Sequence, residues 1–322
     1  MLKLFRSLKW TGATRRMSYF PHPVTAKHTS EGDGGGFHFA TTSMQGWRTQ
    51  QEDAHNCVID LVDGWSLFAV YDGHGGADVA KYAQQLFPQY LKDSHFSQHH
   101  DRVKALQKAF LKFDEYLGRK EIDEADEGIS GLLCDVGATA CVCLLNEEQI
   151  IVANIGDSRA VLSSGGKAIE LSEDHKPTDK IESERIQKAG AWVTGNGRVN
   201  GSLNVSRAFG DHYHKRQNKL PLAEQAICAF PDVRIQARSP DDEYLVVACD
   251  GIWNSMTSQE VVDYIGHRLT EKRDLTRIAE DLCDDCLAPY GSRQPSGHDN
   301  MTVIIIDLKA AKPKAHKVVT HF

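Results

Sequence analysis

Two stretches of this chain share one design. "LFAVYDG" (67–73) and "YLVVACDG" (244–251) are each an apolar run that ends in an aspartate followed by glycine. A third acid, Asp299 in "GHDNMTVIII", stands just before another apolar run. A fourth group, Glu52 and Asp53 in "EDAH", lies between Arg48 and a strand-like segment. A single Asp-Gly after a strand ordinarily marks a turn. Four acidic groups at strand edges point instead to carboxylates aimed into one pocket, which is costly unless they are paired or bind metal. Every candidate ligand is an oxygen donor, which suits hard cations such as Mg²⁺ and Mn²⁺, whereas zinc recruits His or Cys. Two such ions about 3.5–4 Å apart can share a bridging carboxylate and activate a water for in-line attack on phosphorus. Arg48 would offer a bidentate fork to phosphate oxygens. His74, two residues after Asp72, could protonate the leaving oxygen. That chemistry is phosphoester hydrolysis without a covalent nucleophile.

The elements that would position these groups are legible in outline. Patterned sequence begins after the glycine-rich "EGDGGGF" at 31–37, and residues 55–72 read as a hairpin turning at Asp63-Gly64. Strands at 137–145, 149–156 and 159–171 are joined by short polar or glycine turns, which implies antiparallel neighbours. A last strand covers 301–308. Val103, Leu106, Phe110, Phe113 and Leu117 alternate three and four apart on one helix face. A second helix over 77–92 should be kinked or interrupted at Pro88. "TSQEVVDYIGHRL" opens with the capping-box pair Thr257 and Glu260, and a further helix runs through Leu275, Ile278, Leu282 and Cys286. Strand hairpins alternating with helix pairs argue for a layered α+β fold, with no repeat and no linker to divide it.

Composition narrows the function. The chain has 322 residues, enough for a sizeable core, and a formal net charge of −7 that argues against nucleic acid as partner or substrate. Eight cysteines without a secretory leader read as reduced thiols in an intracellular protein. No apolar run approaches the roughly 18–20 residues of a transmembrane helix. Residues 1–30 hold six Lys/Arg and no acid, interleaved with Leu2, Leu4, Phe5, Leu8 and Trp10. This is a basic tail or a short transit-like segment, with Met17 as an alternative start. The expected location is cytoplasmic, with mitochondrial import as the alternative. Nothing resembles a coiled coil, so a monomer is expected. Cys283-x-x-Cys286 follows the helix periodicity rather than a metal site. Cys228 and Arg234 have a thiol-phosphatase spacing but no glycine between them to cradle phosphate.

Six segments, "QGWRTQQEDAH", "AVYDGHGG", "VANIGDSRAVL", "GSLNVSRAFGD", "VVACDGIW" and "GHDNMTVIII", resemble in order and spacing the metal-dependent serine/threonine phosphatases of type 2C. The resemblance covers about residues 24–308. It implies an α+β fold with a central β-sandwich of two antiparallel sheets flanked by pairs of α-helices, a four-layer αββα arrangement. It also implies a catalytic domain (24–308) between a basic N-terminal extension (1–23) and a basic C-terminal tail (309–322). Two Mg²⁺ or Mn²⁺ ions would sit at one end of the sandwich, acting on phosphoserine and phosphothreonine in proteins. Carried over residue by residue, Asp72 matches the bridging ligand and Gly73 a backbone-carbonyl ligand. Asp250 and Asp299 match ligands of one ion, and Glu52 acts mainly through a metal-bound water. Asp53 matches a residue that orients metal waters, Arg48 the phosphate clamp and His74 the general acid. Many relatives carry an acid where this chain has Asn254, and that acid joins the one matching Asp157 in holding a weaker third ion. Asn254 offers a carbonyl oxygen but no charge, so any third site should be weaker still here. Residues 165–193 resemble the flap beside the site, with an exposed helix at about 179–189. Substrate choice is expected there and in "HYHKRQNK" (212–219). A catalytically silent scaffold is the different-class alternative, and joint retention of Asp72, Asp250, Asp299, Arg48 and His74 weighs against it.

Overall fold

A computed structural model describes residues 19–126, 135–294 and 296–309. Strand alternation decides its layers. In β4 (Trp65–Tyr71), Phe68 and Val70 face one buried cluster while Leu67, Ala69 and Tyr71 face another. In β13 (Asp242–Ala248), Leu245 and Val247 point one way, Tyr244, Val246 and Ala248 the other. Successive side chains in a strand alternate faces, so strands buried on both sides require cover on both sides.

Two antiparallel sheets supply the middle layers. One orders β12 (Asp232–Ala237), β8 (Gln149–Ile155), β7 (Ala140–Leu145), β4 and β3 (Ala54–Val62). The other orders β1 (Tyr19–Gly34), β2 (Phe37–Arg48), β14 (Met301–Asp307), β13, β9 (Arg159–Ser164) and β10 (Lys167–Glu170). Between them lie Phe37, Phe68, Val152, Leu162, Leu245 and Ile304. α1 (Asp78–Asp93) and α2 (Arg102–Asp126) pack on the five-stranded sheet, where Phe87 meets Phe110 edge-on at 4.8 Å and Phe209 at 5.2 Å. α5 (Ser258–Thr270) and α6 (Leu275–Cys286) cover the six-stranded sheet through Val261, Ile265, Ile278 and Leu282. The layers are therefore αββα, as expected. Cys283 and Cys286 both belong to this core, and the Thr257–Glu260 capping box is present.

Three differences from the sequence reading have physical causes. α1 runs through Pro88 without interruption. The proline removes the N–H that would bond the Gln84 carbonyl, and Asn56 Nδ2 donates to that carbonyl instead, at 3.0 Å. The glycine-rich 31–37 is not the start of the fold but the tip of the β1–β2 hairpin, which turns at Gly35-Gly36. β1 begins at Tyr19, inside the stretch expected as extension, because an exposed edge strand carries no apolar alternation to betray it. Thirdly, the expected strand 159–171 is a hairpin, β9–β10, which takes residues 167–170 out of the flap and into the sheet edge. Residues 1–18 and 310–322, with most of the two basic extensions, lie outside the described residues. Among the described residues no helix is long and apolar enough to cross a membrane.

Candidate active site

At the end of β4 the chain is pinned before it turns. Thr139 N–H donates to the Asp72 carbonyl (2.9 Å), and the Asp72 N–H donates to Thr139 Oγ1 (3.3 Å). The glycine after each strand-end aspartate then allows another segment to close in. A Cβ on Gly73 would lie 2.3 Å from the Glu52 carbonyl oxygen, and one on Gly251 would lie 2.0 Å from that of Asn300. Only a bare backbone fits such approaches. Gly73 thus brings the Glu52–Asp53 segment against Asp72, and Gly251 brings Asp299–Asn300 against Asp250. Asn300 clips the arrangement: its Oδ1 accepts from the Glu52 N–H (2.9 Å), while its Nδ2 donates to the Gln45 and Gln50 carbonyls (2.8 and 2.9 Å). Asn300 lies within the "GHDNMTVIII" segment, but its clipping contacts join distant residues that no local pattern announces.

The result is one cavity of about 290 Å³, lined by Arg48, Glu52, Asp72, Gly73, His74, Asp157, Asp250 and Asp299 together with Thr139, Asn204, Val205 and Asn300. Of the candidate catalytic and metal-site residues named from sequence, Asp53 and Asn254 do not line it. Asp53 stands behind Asp72, where its Oδ2 accepts from Thr302 Oγ1 (2.7 Å) and its carboxylate groups with those of Asp72 and the Cys249 thiol, ligand atoms within 4.8 Å of one another.

So many acids crowded around one half-buried cavity are electrostatically costly. Burial, then the neighbouring carboxylates, pushes Asp72 and Asp250 well above the usual carboxylate range. Burial also pushes Asp53 up to about 7, against the opposing hydrogen bond from Thr302. Asp53 Oδ1 and Asp250 Oδ1 are buried with no hydrogen-bond partner among the described residues. Orphaned carboxylate oxygens in an all-oxygen cluster are what a hard divalent cation satisfies, so the donor set fits one.

Four residues have partners the sequence did not disclose. Arg48, expected as a free clamp, donates to Asp299 Oδ2 at 2.5 Å. Asp157 is buried and paired with the Lys176 ammonium at 2.5 Å, and Asn254 Nδ2 donates to Asp250 Oδ2 at 2.9 Å. Both groups considered for a weaker third ion are therefore engaged, one of them by a resident cation. His74 Nε2 meets Asp211 Oδ2 at 2.7 Å. Burial works against the imidazolium, but the charge and hydrogen bond of Asp211 outweigh it and hold His74 above its ordinary value.

One cavity wall, Asn204–Val205, lies just beyond the flap and packs against it. α3 (Lys180–Lys188) docks there over a small core of Ile186, Val199, Val205 and Ile227. Its helix was expected to be exposed, yet Glu182 is buried. Its carboxylate accepts from Arg207 (2.7 Å), Arg185 (2.7 Å) and Ser206 Oγ (2.5 Å), and Arg207 continues to Asp232 (2.8 Å). Polarity alone reads a glutamate as solvated; two arginines from the sequence around it make it internal. In 212–219, His212, His214 and Lys215 are largely anchoring: Lys215 Nζ donates to both Asp114 oxygens at 2.8 Å. Tyr213 is exposed there, as are residues 216–219, and the Arg216 guanidinium lies 4.9 Å over its ring.

Residues 37–294 match the family described as Protein phosphatase 2C. The chain belongs to the protein phosphatase 2C family. It is 39% identical to "Probable protein phosphatase 2C 60" of Arabidopsis thaliana over 92% of this chain and 93% of that one. It is 41% identical to "Protein phosphatase 2C homolog 2" of Schizosaccharomyces pombe over 88% of this chain and 76% of the relative. Among solved structures, a phosphatase from a pathogenic strain of Toxoplasma gondii superimposes with a TM-score of 0.74 at 25% identity, covering 91% of this chain and all of that one. This protein phosphatase 2C is thus a metal-dependent serine/threonine phosphatase. Divalent metal use goes with the family, and the acidic cluster around Asp72 is where the described residues provide for it.

Proposed function

We propose that this protein phosphatase 2C hydrolyses phosphoserine and phosphothreonine in proteins at a two-cation site, with no covalent enzyme intermediate. The observation that carries the reading is the convergence of Asp72, Asp250, Asp299 and Glu52 on one cavity, with carboxylate oxygens at Asp53 and Asp250 left without partners. Asp72, the Gly73 carbonyl, Asp250, Asp299 and Glu52 would hold two Mg²⁺ or Mn²⁺ ions, whose chemistry would be to activate a water and polarise the phosphoryl oxygens. The chain's own residues do the rest. Arg48 lines the cavity with its side chain 28% exposed and can offer guanidinium N–H groups to phosphate beside its bond to Asp299. His74 donates a proton to the departing serine or threonine oxygen, a group that leaves poorly as an alkoxide. Asp53 stays behind Asp72 and fixes that carboxylate's surroundings through Thr302. A third ion has no role in this scheme, because Lys176 already neutralises Asp157.

The test is phosphate release from a phosphothreonine peptide with Mn²⁺ present and after EDTA. Turnover that EDTA abolishes and Mn²⁺ restores is expected. Peptide binding with no EDTA-sensitive release would support a scaffold instead.

A further inference from the structure

Asp211 is a buried acid in contact with His74 that the scheme above leaves without a role. Its side chain is fully buried, its Oδ2 lies 2.7 Å from His74 Nε2, and its Oδ1 has no hydrogen-bond partner among the described residues. The backbone goes out of its way to put it there. Asp211 adopts the left-handed conformation (φ 52°, ψ 36°), which non-glycine residues rarely enter, though Asp tolerates it better than most. Its N–H donates to the Val136 carbonyl at 2.9 Å. The preceding Gly210 N–H donates to Asp114 Oδ1 at 2.8 Å, and Asp114 is held in turn by Lys215. A turn anchored on α2 therefore carries the carboxylate to the imidazole. Gly137 clears the space: a Cβ there would lie 2.2 Å from Asp211 Oδ2 and 2.5 Å from His74 Nε2.

Resting on the proposed role of His74 as the acid, we infer that Asp211 is a positioning residue that holds the Nε2–H of His74, so that the proton reaching the substrate comes from Nδ1. With an aspartate oxygen as the acceptor of this 2.7 Å contact, the ring nitrogen facing it is the donor. When the bond from phosphorus to the leaving oxygen breaks, that oxygen takes the bonding pair and the Nδ1 proton. The attacking water's oxygen forms the new P–O bond, and the proton that water releases restores the imidazolium. Throughout, Nε2–H stays with Asp211, as the buried aspartate does for histidine in hydrolases built on other folds.

The test compares wild type, His74→Gln and Asp211→Asn, the last chosen because Asn keeps the size and tolerates the left-handed backbone. Rates are read on a phosphothreonine peptide and on p-nitrophenyl phosphate, whose leaving group needs little protonation. Mn²⁺ binding is measured by calorimetry, and the ring proton of His74 by long-range ¹H–¹⁵N spectra. Asp211→Asn is expected to slow the peptide at least tenfold through kcat, leave the aryl phosphate within about threefold, bind Mn²⁺ as wild type does, and lose the Nε2–H signature. Gly137→Ala should reproduce this pattern by wedging the pair apart. Equal slowing of both substrates, loss of Mn²⁺ binding, or an unchanged ring signature with full activity would overturn the assignment. If His74→Gln itself shows no preference between the substrates, it is the role of His74 that fails. If His74→Gln shows the preference and Asp211→Asn does not, only the role of Asp211 fails.

Discussion

Replacing Glu182 by glutamine should loosen the flap in a way that depends on pH. Burial would raise the Glu182 carboxyl, but the hydrogen bonds from Arg207 and the charges of Arg185 and Arg207 overcome it and hold the group at about 2, against an ordinary 4.5. A folded value below the unfolded one means the stabilisation is complete above pH about 4.5 and is lost as pH falls towards about 2. The difference corresponds to roughly 3 kcal/mol at neutral pH. The same linkage leaves less than half of it, about 1.4 kcal/mol, at pH 3. Urea denaturation followed by circular dichroism, on wild type and Glu182→Gln from pH 7 to 3, reads this directly. The variant should be less stable by roughly 3 kcal/mol at pH 7, with the gap closing as acid is added. A gap that stays constant with pH, or one under about 0.5 kcal/mol at pH 7, is what an exposed surface pair would give. Either would refute the reading of Glu182 as the buried centre of the flap.

Two further substitutions test particular contacts. Lys176→Met frees the Asp157 carboxylate from its resident cation, so Mn²⁺ titration should reveal an additional weak site; a titration identical to wild type would contradict the claim that Lys176 occupies that role. Asn56→Ala removes the donor that satisfies the Gln84 carbonyl left bare by Pro88, and also the acceptor of the Tyr71 hydroxyl. It should cost roughly 1–3 kcal/mol in urea denaturation; no change would mean that water replaces Asn56 without penalty.

The strand-end acids were legible because their signal is local. Asp72 and Asp250 each close an apolar run and precede a glycine, so a few adjacent residues disclose both the strand and the turn into a site. The layers were legible for the same reason, since alternation and helical periodicity are short-range patterns. What escaped notice was set by contacts between distant segments. Arg48 and Asp299 are 251 positions apart, and nothing beside either residue announces their pairing. Lys176 and Glu182 sit in a polar stretch that reads as solvated, and only the fold shows that Asp157 and Arg207 wait beneath it. Pro88 fits a break in sequence, but Asn56, from strand β3, supplies the missing bond. Asp211 and Asn300 were visible inside quoted motifs, but a motif does not say which atom a side chain touches. β1 lacked even that, since its mostly exposed residues have no period to read.

The central claim is that the carboxylates of this protein phosphatase 2C hold the cations on which turnover depends. It is tested most directly by measuring Mn²⁺ binding calorimetrically on wild type and Asp250→Asn, with phosphate release from a phosphothreonine peptide on the same samples. Asp250→Asn takes one negative charge from an all-oxygen site while keeping its size. The account predicts two ions bound to the wild type, at least one of them lost or much weakened in the variant, and release falling with it. Equal Mn²⁺ binding by both proteins, or turnover that survives when binding is lost, would contradict it.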